Sequence, residues 1–74
     1  PTTTIQFSLA SAQHVTLEVY NMLGQKVATL VQNQPLTAGV HTQSFDASSL
    51  ASGMYIYRLS TPEFSQSRRM MLIK

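Results

Sequence analysis

The acidic residues are the first candidates for chemistry, because most glycoside hydrolases work with a pair of Asp or Glu side chains. The chain of 74 residues has three: Glu18, Asp46 and Glu63. Hydrolysis requires two carboxyl groups held on either side of one scissile bond. Here Glu18 falls on the outer face of a predicted strand, and the other two fall in separate turns. We therefore interpret all three as solvated surface carboxylates.

A nucleophilic triad is the second chemistry to test, since His14, Asp46 and Ser48 or Ser49 supply the residue types that it needs. The sequence has no G-x-S-x-G segment, the turn that exposes the serine of α/β-hydrolases. Asp46 is better explained as the cap of a single helical turn. His41, at the start of a strand, is interpreted as a structural histidine. The prediction is a protein that is not an enzyme.

No metal or cofactor is predicted. The chain has no cysteine and only two histidines, too few for a structural zinc site. The segment "DASSL" offers one carboxylate, whereas Ca²⁺ takes several clustered oxygens. A net charge of +2 is too small to indicate a nucleic-acid partner.

Exposed aromatic rings are the usual means by which a β-domain binds carbohydrate, and the chain has no tryptophan. The pattern leaves only Tyr20 and Phe64 on the surface. Four other aromatic residues occupy inward positions: Phe7, Phe45, Tyr55 and Tyr57. Two separate rings make a poor sugar platform. A carbohydrate-binding or structural accessory module of a secreted glycanase or adhesin is nevertheless the alternative function.

Alternation of apolar and polar residues recurs along the chain and indicates half-buried strands. The strand-like segments are "TTIQFSL", "HVTLEVY", "QKVATLVQ", "VHTQSF", "MYIYRLS" and "SQSRRMMLIK". Turn residues separate them, and no segment keeps a helical period. Short strands at this spacing predict an all-β fold, a small antiparallel β-sandwich of six to seven strands.

The third strand is irregular, because Val27, Leu30 and Val31 do not lie on one face of a simple alternation. A β-bulge or a strong twist would account for this. Residues 33–39 follow as a predicted loop, because they contain a proline and a glycine.

Two turns contain residues with a conformational role. In "NMLG", Asn21 can bond its own backbone, and Gly24 can adopt a positive φ angle. In "DASSLASG", Leu50 is expected to plug the turn capped by Asp46 into the core, and Gly53 frees the backbone to re-enter the sheet.

Packing must supply the stability, because a chain this short has no disulfide and buries only about 60% of its unfolded surface. Only 11% of residues are charged. The inward positions predict a mostly buried set: Ile5, Phe7, Leu9, Leu17, Val19, Leu50, Tyr55, Tyr57 and Leu59.

The C-terminal segment "SRRMMLIK" contains a dense apolar run between cationic residues. In a strand, Met70 and Leu72 share one face and Met71 and Ile73 share the other. A thin sandwich cannot bury both faces, so one face would remain accessible. The simpler interpretation is that the whole run completes the core.

Four stretches in this order carry a family resemblance: "TTIQFSL", "VTLEVYNMLGQKVATLV", "LTAGVHTQSFDASSLASGMYIYRLS" and "SRRMMLIK". Together they resemble the C-terminal sorting domain, type A, of the type IX or Por secretion system. The resemblance covers essentially the whole chain. It implies an immunoglobulin-like β-sandwich at the end of a secreted or cell-surface protein of Bacteroidota. Residues 1–74 are then one sorting domain excised from a larger secreted protein.

The resemblance also implies partners and site residues. The partners are N-terminal cargo domains, the outer-membrane type IX translocon, and a sorting and peptidase machinery that releases or anchors the cargo. Phe45 stands where many relatives have tryptophan, which alters core packing. Met70 and Leu72 are assigned to the core, and Met71, Ile73 and Lys74 to the accessible face. The full set that matches the family's motifs is Gly53, Tyr55, Tyr57, Arg69, Met70, Met71, Leu72, Ile73 and Lys74.

Overall fold

A computed structural model describes residues 2–73 and is built from strands. The strands are β1 (Thr2–Leu9), β2 (Gln13–Asn21), β3 (Lys26–Leu36), β4 (Gly39–Asp46), β5 (Gly53–Ser60) and β6 (Ser65–Leu72). No helix occurs within this described range. The all-β prediction is confirmed, and the strand number is six.

The strands form two antiparallel sheets that face each other as a sandwich. One sheet contains β1 and β4, and the other has the order β3-β2-β5-β6. In the larger sheet, β2 and β5 are interior strands and β3 and β6 are the edges. The predicted sandwich is therefore confirmed, with unequal halves of two and four strands.

The core is centred on β2. Val15, Leu17 and Val19 alternate along this strand and are fully buried. Alternation places them on one face of the sheet, which is the face that packs against the opposite sheet. Other strands complete the buried set: Ile5, Leu9, Val31, Phe45, Ala47, Tyr55, Leu59 and Leu72.

Three residues of the predicted core are only half-buried. Phe7, Leu50 and Tyr57 pack against the core without being enclosed by it. Phe7 and Tyr57 line an open cleft between the sheets. A sheet of two strands cannot cover one of four, because each strand adds only about 4.8 Å of width. The sequence shows which way a side chain points, but not how much of the opposite sheet covers it.

β3 differs from its prediction, because it continues through residues 33–36 instead of giving way to a loop. Pro35 lies opposite His14 inside the strand. An edge strand tolerates proline, since one of its sides makes no ladder hydrogen bonds. Three register shifts interrupt the β2–β3 pairing, in agreement with the irregularity for which a bulge or a strong twist was predicted. Asn33 has a φ of 45° and donates its backbone N–H to Thr16 Oγ1 at 3.1 Å.

The turn between β4 and β5 is organised by Asp46, as predicted. Its carboxylate accepts the Ser48 N–H at 3.0 Å, and the Leu50 N–H bonds the Ala47 carbonyl oxygen at 3.0 Å. The segment makes a hydrogen-bonded turn but no helix. Ala47 joins the core here, a position that the sequence prediction omitted.

Replacing Leu17 by alanine tests whether β2 carries the core. Removing a fully buried leucine leaves a cavity, so Leu17→Ala should lower the free energy of unfolding by ~2–5 kcal/mol. Chemical denaturation measures the change. The control is Val40→Ala, at a site 65% exposed, which should cost less than ~1 kcal/mol. Equal stability of the two variants would contradict the central role of β2.

Candidate functional site

The residues that match the sorting motifs gather on one hairpin, β5 with β6, which we call the terminal hairpin. Its register sets Gly53 opposite Leu72 and Tyr55 opposite Met70. The two motif blocks, separate in sequence, are therefore neighbours in space. Lys74, the last residue of the predicted set, lies outside the described residues.

The inner face of the terminal hairpin is anchored in the core. Tyr55 and Leu72 are buried, and Met70 packs against the buried cluster. The Tyr55 hydroxyl donates to the Ala51 carbonyl oxygen at 2.8 Å, so the ring also fixes the loop that leads into β5. Gly53 has a φ of 151°, which side-chain-bearing residues rarely adopt.

The outer face of the terminal hairpin presents apolar side chains to solvent. Met71 is 59% exposed, and Ile73, directly after β6, is 80% exposed. Met54 is opposite Met71 and is half-buried. Arg69, one step along the same face, is exposed. The assignment of Met70 and Leu72 inward and of Met71 and Ile73 outward is confirmed.

Tyr57 has a different environment from Tyr55. It is half-buried, lies opposite Arg68, and lines the cleft between the sheets together with Phe7. Its part in sorting stays a prediction. Its contacts show only that it supports the middle of the terminal hairpin.

β6 has a free edge, since β5 is its only partner strand among residues 2–73. An edge strand presents unpaired backbone N–H and C=O groups, which can bind an extended segment of another protein. Main-chain hydrogen bonds then give affinity, and alternate side chains give specificity. β6 can therefore offer both a backbone edge and a row of apolar side chains.

Glu18 forms a small polar cluster on the outer face of the larger sheet. The Tyr20 hydroxyl donates to one carboxylate oxygen at 2.9 Å, and Lys26 Nζ lies 3.2 Å from the other. The Tyr20 hydrogen bond, aided by Lys26 and Arg58, holds the pKa of the Glu18 carboxyl below its usual value. The same hydrogen bond raises the pKa of the Tyr20 hydroxyl. A carboxylate held ionised in this way is poorly suited to act as a general acid.

The residues of the conceivable triad take structural positions. His14 lies near the start of β2, and Asp46 ends β4 and binds the Ser48 backbone N–H. Within residues 2–73, no group of three His, Asp or Glu side chains is placed to hold a metal ion. No helix in that range is long and apolar enough to cross a membrane.

His41 sits within the fold as a structural histidine would. Its Nε2 lies 2.7 Å from the Thr37 carbonyl oxygen, within hydrogen-bond distance. Its ring stacks on Phe7 with 5.5 Å between the ring centroids. These contacts tie the start of β4 to its preceding turn and to β1.

The two candidate aromatic residues for sugar binding do not form one surface. Tyr20 lies opposite Ile56 in β5 and bonds Glu18 through its hydroxyl. Phe64 lies in the turn between β5 and β6, at the other end of the terminal hairpin. A platform of stacked sugar rings is therefore not assembled from this pair.

Two exposed apolar residues were absent from the predicted site, Met22 and Leu23 in the turn between β2 and β3. The signal was present in the sequence, because "NMLG" places large apolar side chains inside a turn. Turns favour Asn, Asp, Gly, Pro and Ser.

Comparison with known proteins gives one result for the whole chain. No curated protein and no solved structure matches it. A family model described as "Secretion system C-terminal sorting domain" matches residues 1–74. The match spans both the β-sandwich and the terminal hairpin. The chain therefore belongs to the family of secretion system C-terminal sorting domains, which mark proteins of Bacteroidota for export across the outer membrane by the type IX system.

Proposed function

We propose that residues 1–74 form a single, non-catalytic sorting module whose signal is the outer face and free edge of the terminal hairpin. One observation carries this proposal. Met71 and Ile73 are large apolar side chains that the fold leaves in solvent, next to an unpaired strand edge. They add little to the core, so their presence is better explained by recognition.

The roles of the motif residues divide by face. Gly53, Tyr55 and Leu72 join the terminal hairpin to the core and hold its shape. Met71 and Ile73 act as apolar anchors for a receptor. The cationic side chain of Arg69 lies on the same face and favours an acidic rim on that receptor, and Lys74 follows Ile73 in the sequence.

Folding is part of this signal. Within residues 2–73, β6 pairs only with β5, and β5 pairs with β2 along its other edge, so the position of β6 depends on both strands. An unfolded chain would therefore lack the ordered row of side chains that the receptor binds. The translocon would accept cargo whose last domain has finished folding.

The compactness of the domain bears on where the parent chain is cut after export. We infer that the sorting peptidase cuts the parent chain upstream of β1. Any linker that joins the domain to its cargo would be easier for a protease to reach than strands that are hydrogen-bonded inside the sandwich. The cargo domains would then be released or attached to the cell surface without the sorting domain.

The absence of catalysis is supported by the placement of the acidic residues. Glu18 is bound by Tyr20 and Lys26, and Asp46 holds the turn after β4. Glu63 lies in the turn between β5 and β6. The three carboxylates thus lie on separate elements.

Changing the accessible face should block export without unfolding the domain. The variant is Met71→Ser with Ile73→Ser and Lys74→Ala, in a secreted reporter ending in residues 1–74. Because these apolar side chains are exposed, the melting temperature should change little while the reporter accumulates in the periplasm. Immunoblots of periplasm and medium measure the distribution in a host with a working type IX system.

The matched control keeps the character of each side chain: Met71→Leu, Ile73→Val and Lys74→Arg. It should be exported as the wild type is. Normal export of the serine variant would show that this face is not the signal.

Purified domain should hydrolyse neither polysaccharides nor esters, because Glu18 is bound by Tyr20 and Lys26, and Asp46 accepts a backbone N–H in the turn after β4. Reducing-sugar and p-nitrophenyl ester assays measure the rate. Hydrolysis that disappears in Glu18→Gln or Asp46→Asn would overturn the non-catalytic assignment.

A further inference from the structure

The turn between β2 and β3, residues 21–25, is unusually well fixed for a surface turn. The Asn21 side-chain oxygen accepts the backbone N–H of Leu23 at 2.9 Å and of Gln25 at 3.0 Å. The Asn21 side-chain amide donates to Gln25 Oε1 at 2.9 Å. Gly24 completes the turn with a φ of 84°. Polar groups and one glycine therefore set the conformation of this turn.

The turn does not need its two apolar side chains for its shape. Met22 is 57% exposed and Leu23 is 84% exposed, and neither is part of the core. A rigid turn that holds large apolar groups in water loses little conformational entropy when a partner covers them. That is the arrangement expected of a recognition element.

The strand register places this turn at the end of the larger sheet where β5 begins and β6 ends. Asn21 lies opposite Tyr55, and Tyr55 lies opposite Met70. Met22 follows Asn21 just past the end of β2, and Met54 and Met71 form the next pair along β5 and β6. Six large apolar side chains are exposed within residues 2–73, and four of them lie at this end of the larger sheet: Met22, Leu23, Met71 and Ile73.

Positive charge borders this apolar group. Lys26 and Arg69 lie on the outer face of the larger sheet in the row next to Met54 and Met71, and Arg58 lies one row further along the same face. Glu18 lies on the same face and forms a salt bridge with Lys26, and Arg58 lies opposite Glu18, so its charge also acts on that carboxylate. Within residues 2–73, Arg69 forms no salt bridge. The unbalanced charge is therefore cationic.

We propose that Met22, Leu23, Met71 and Ile73 form one composite docking surface, the turn–strand surface, for a protein that presents an apolar hollow bordered by carboxylates. The proposal rests on the proposed function and deepens it, because it adds the β2–β3 turn to the signal. The export receptor then contacts two elements that are distant in sequence.

A protein partner fits this surface better than a membrane does. The hydrogen-bonded turn and the paired β6 hold the apolar groups at fixed separations, which a complementary protein surface can match. A bilayer has no fixed pockets, so the fixed separations of these apolar side chains would not strengthen binding to a membrane. Contact with two elements also lets the receptor sense that β2 and β6 are both in place.

Export of a reporter that ends in residues 1–74 tests the proposal. Met22→Ser with Leu23→Ser should leave the melting temperature unchanged and reduce export roughly tenfold, because each lost apolar contact weakens binding several-fold. The matched control removes two exposed apolar groups elsewhere, Val40→Ser with Phe64→Ser, and should be exported normally.

The result separates this inference from the proposed function. If changes at Met71 and Ile73 block export but the turn variant is exported normally, the sorting role of β6 stands and the composite surface is wrong. Equal loss of export in the Val40 and Phe64 control would also overturn it, because the effect would not be specific to this end.

Charge reversal and crosslinking identify the partner's chemistry. Arg69→Glu should reduce export. Arg68 is the neighbouring residue but lines the cleft between the sheets, so Arg68→Glu should not reduce export.

A photo-crosslinking residue at position 23 or 73 should label the same receptor protein. Crosslinks to a second copy of the chain, or binding to anionic lipid vesicles that the turn variant loses, would contradict a receptor with an acidic rim.

Discussion

Burial of one face of β2 is the interaction on which the rest of the structure depends. Its three fully buried side chains fill the centre of the sandwich, and its two edges pair with β3 and β5. Every element of the larger sheet is therefore attached to β2 directly or through β5. Few residues are charged, so apolar packing rather than ion pairing stabilises this small domain.

The unequal sheets explain how a small domain can be stable and still present apolar groups. Two strands cannot cover the whole inner face of a four-stranded sheet, and a cleft lined by Phe7 and Tyr57 stays open between them. In the terminal hairpin, Tyr55 and Leu72 on the inner face are buried in the core, while Met71 on the outer face meets water. Alternate residues of β6 are thus buried and exposed, and the proposed signal needs no more than this period of two, which every strand has.

The sequence was sufficient to predict the strands, the sandwich and most of the core, because alternation reports directly which face is buried. It was insufficient to predict that Pro35 lies within a strand. A proline disrupts an interior strand but is tolerated in an edge strand, and whether a strand is an edge depends on the assembled sheet. Periodicity alone could not orient Met70 against Met71; the family resemblance chose the orientation that the burial shows. Met22 and Leu23 were not predicted as part of the site, because their position at the same end of the sheet as Met71 depends on strand order, which a local sequence pattern does not encode.

The irregular course of β3 has a consequence for a protein that must wait in a crowded periplasm. Exposed strand edges invite copies of the same chain to join sheet to sheet and aggregate. On the β3 side, Pro35 and the positive φ of Asn33 make a poor template for such growth. On the β6 side, the charges of Arg68 and Arg69 oppose it by repulsion. The molecule is thus protected against open-ended polymerisation at its β3 edge, whereas within residues 2–73 the β6 edge is still open to a partner strand.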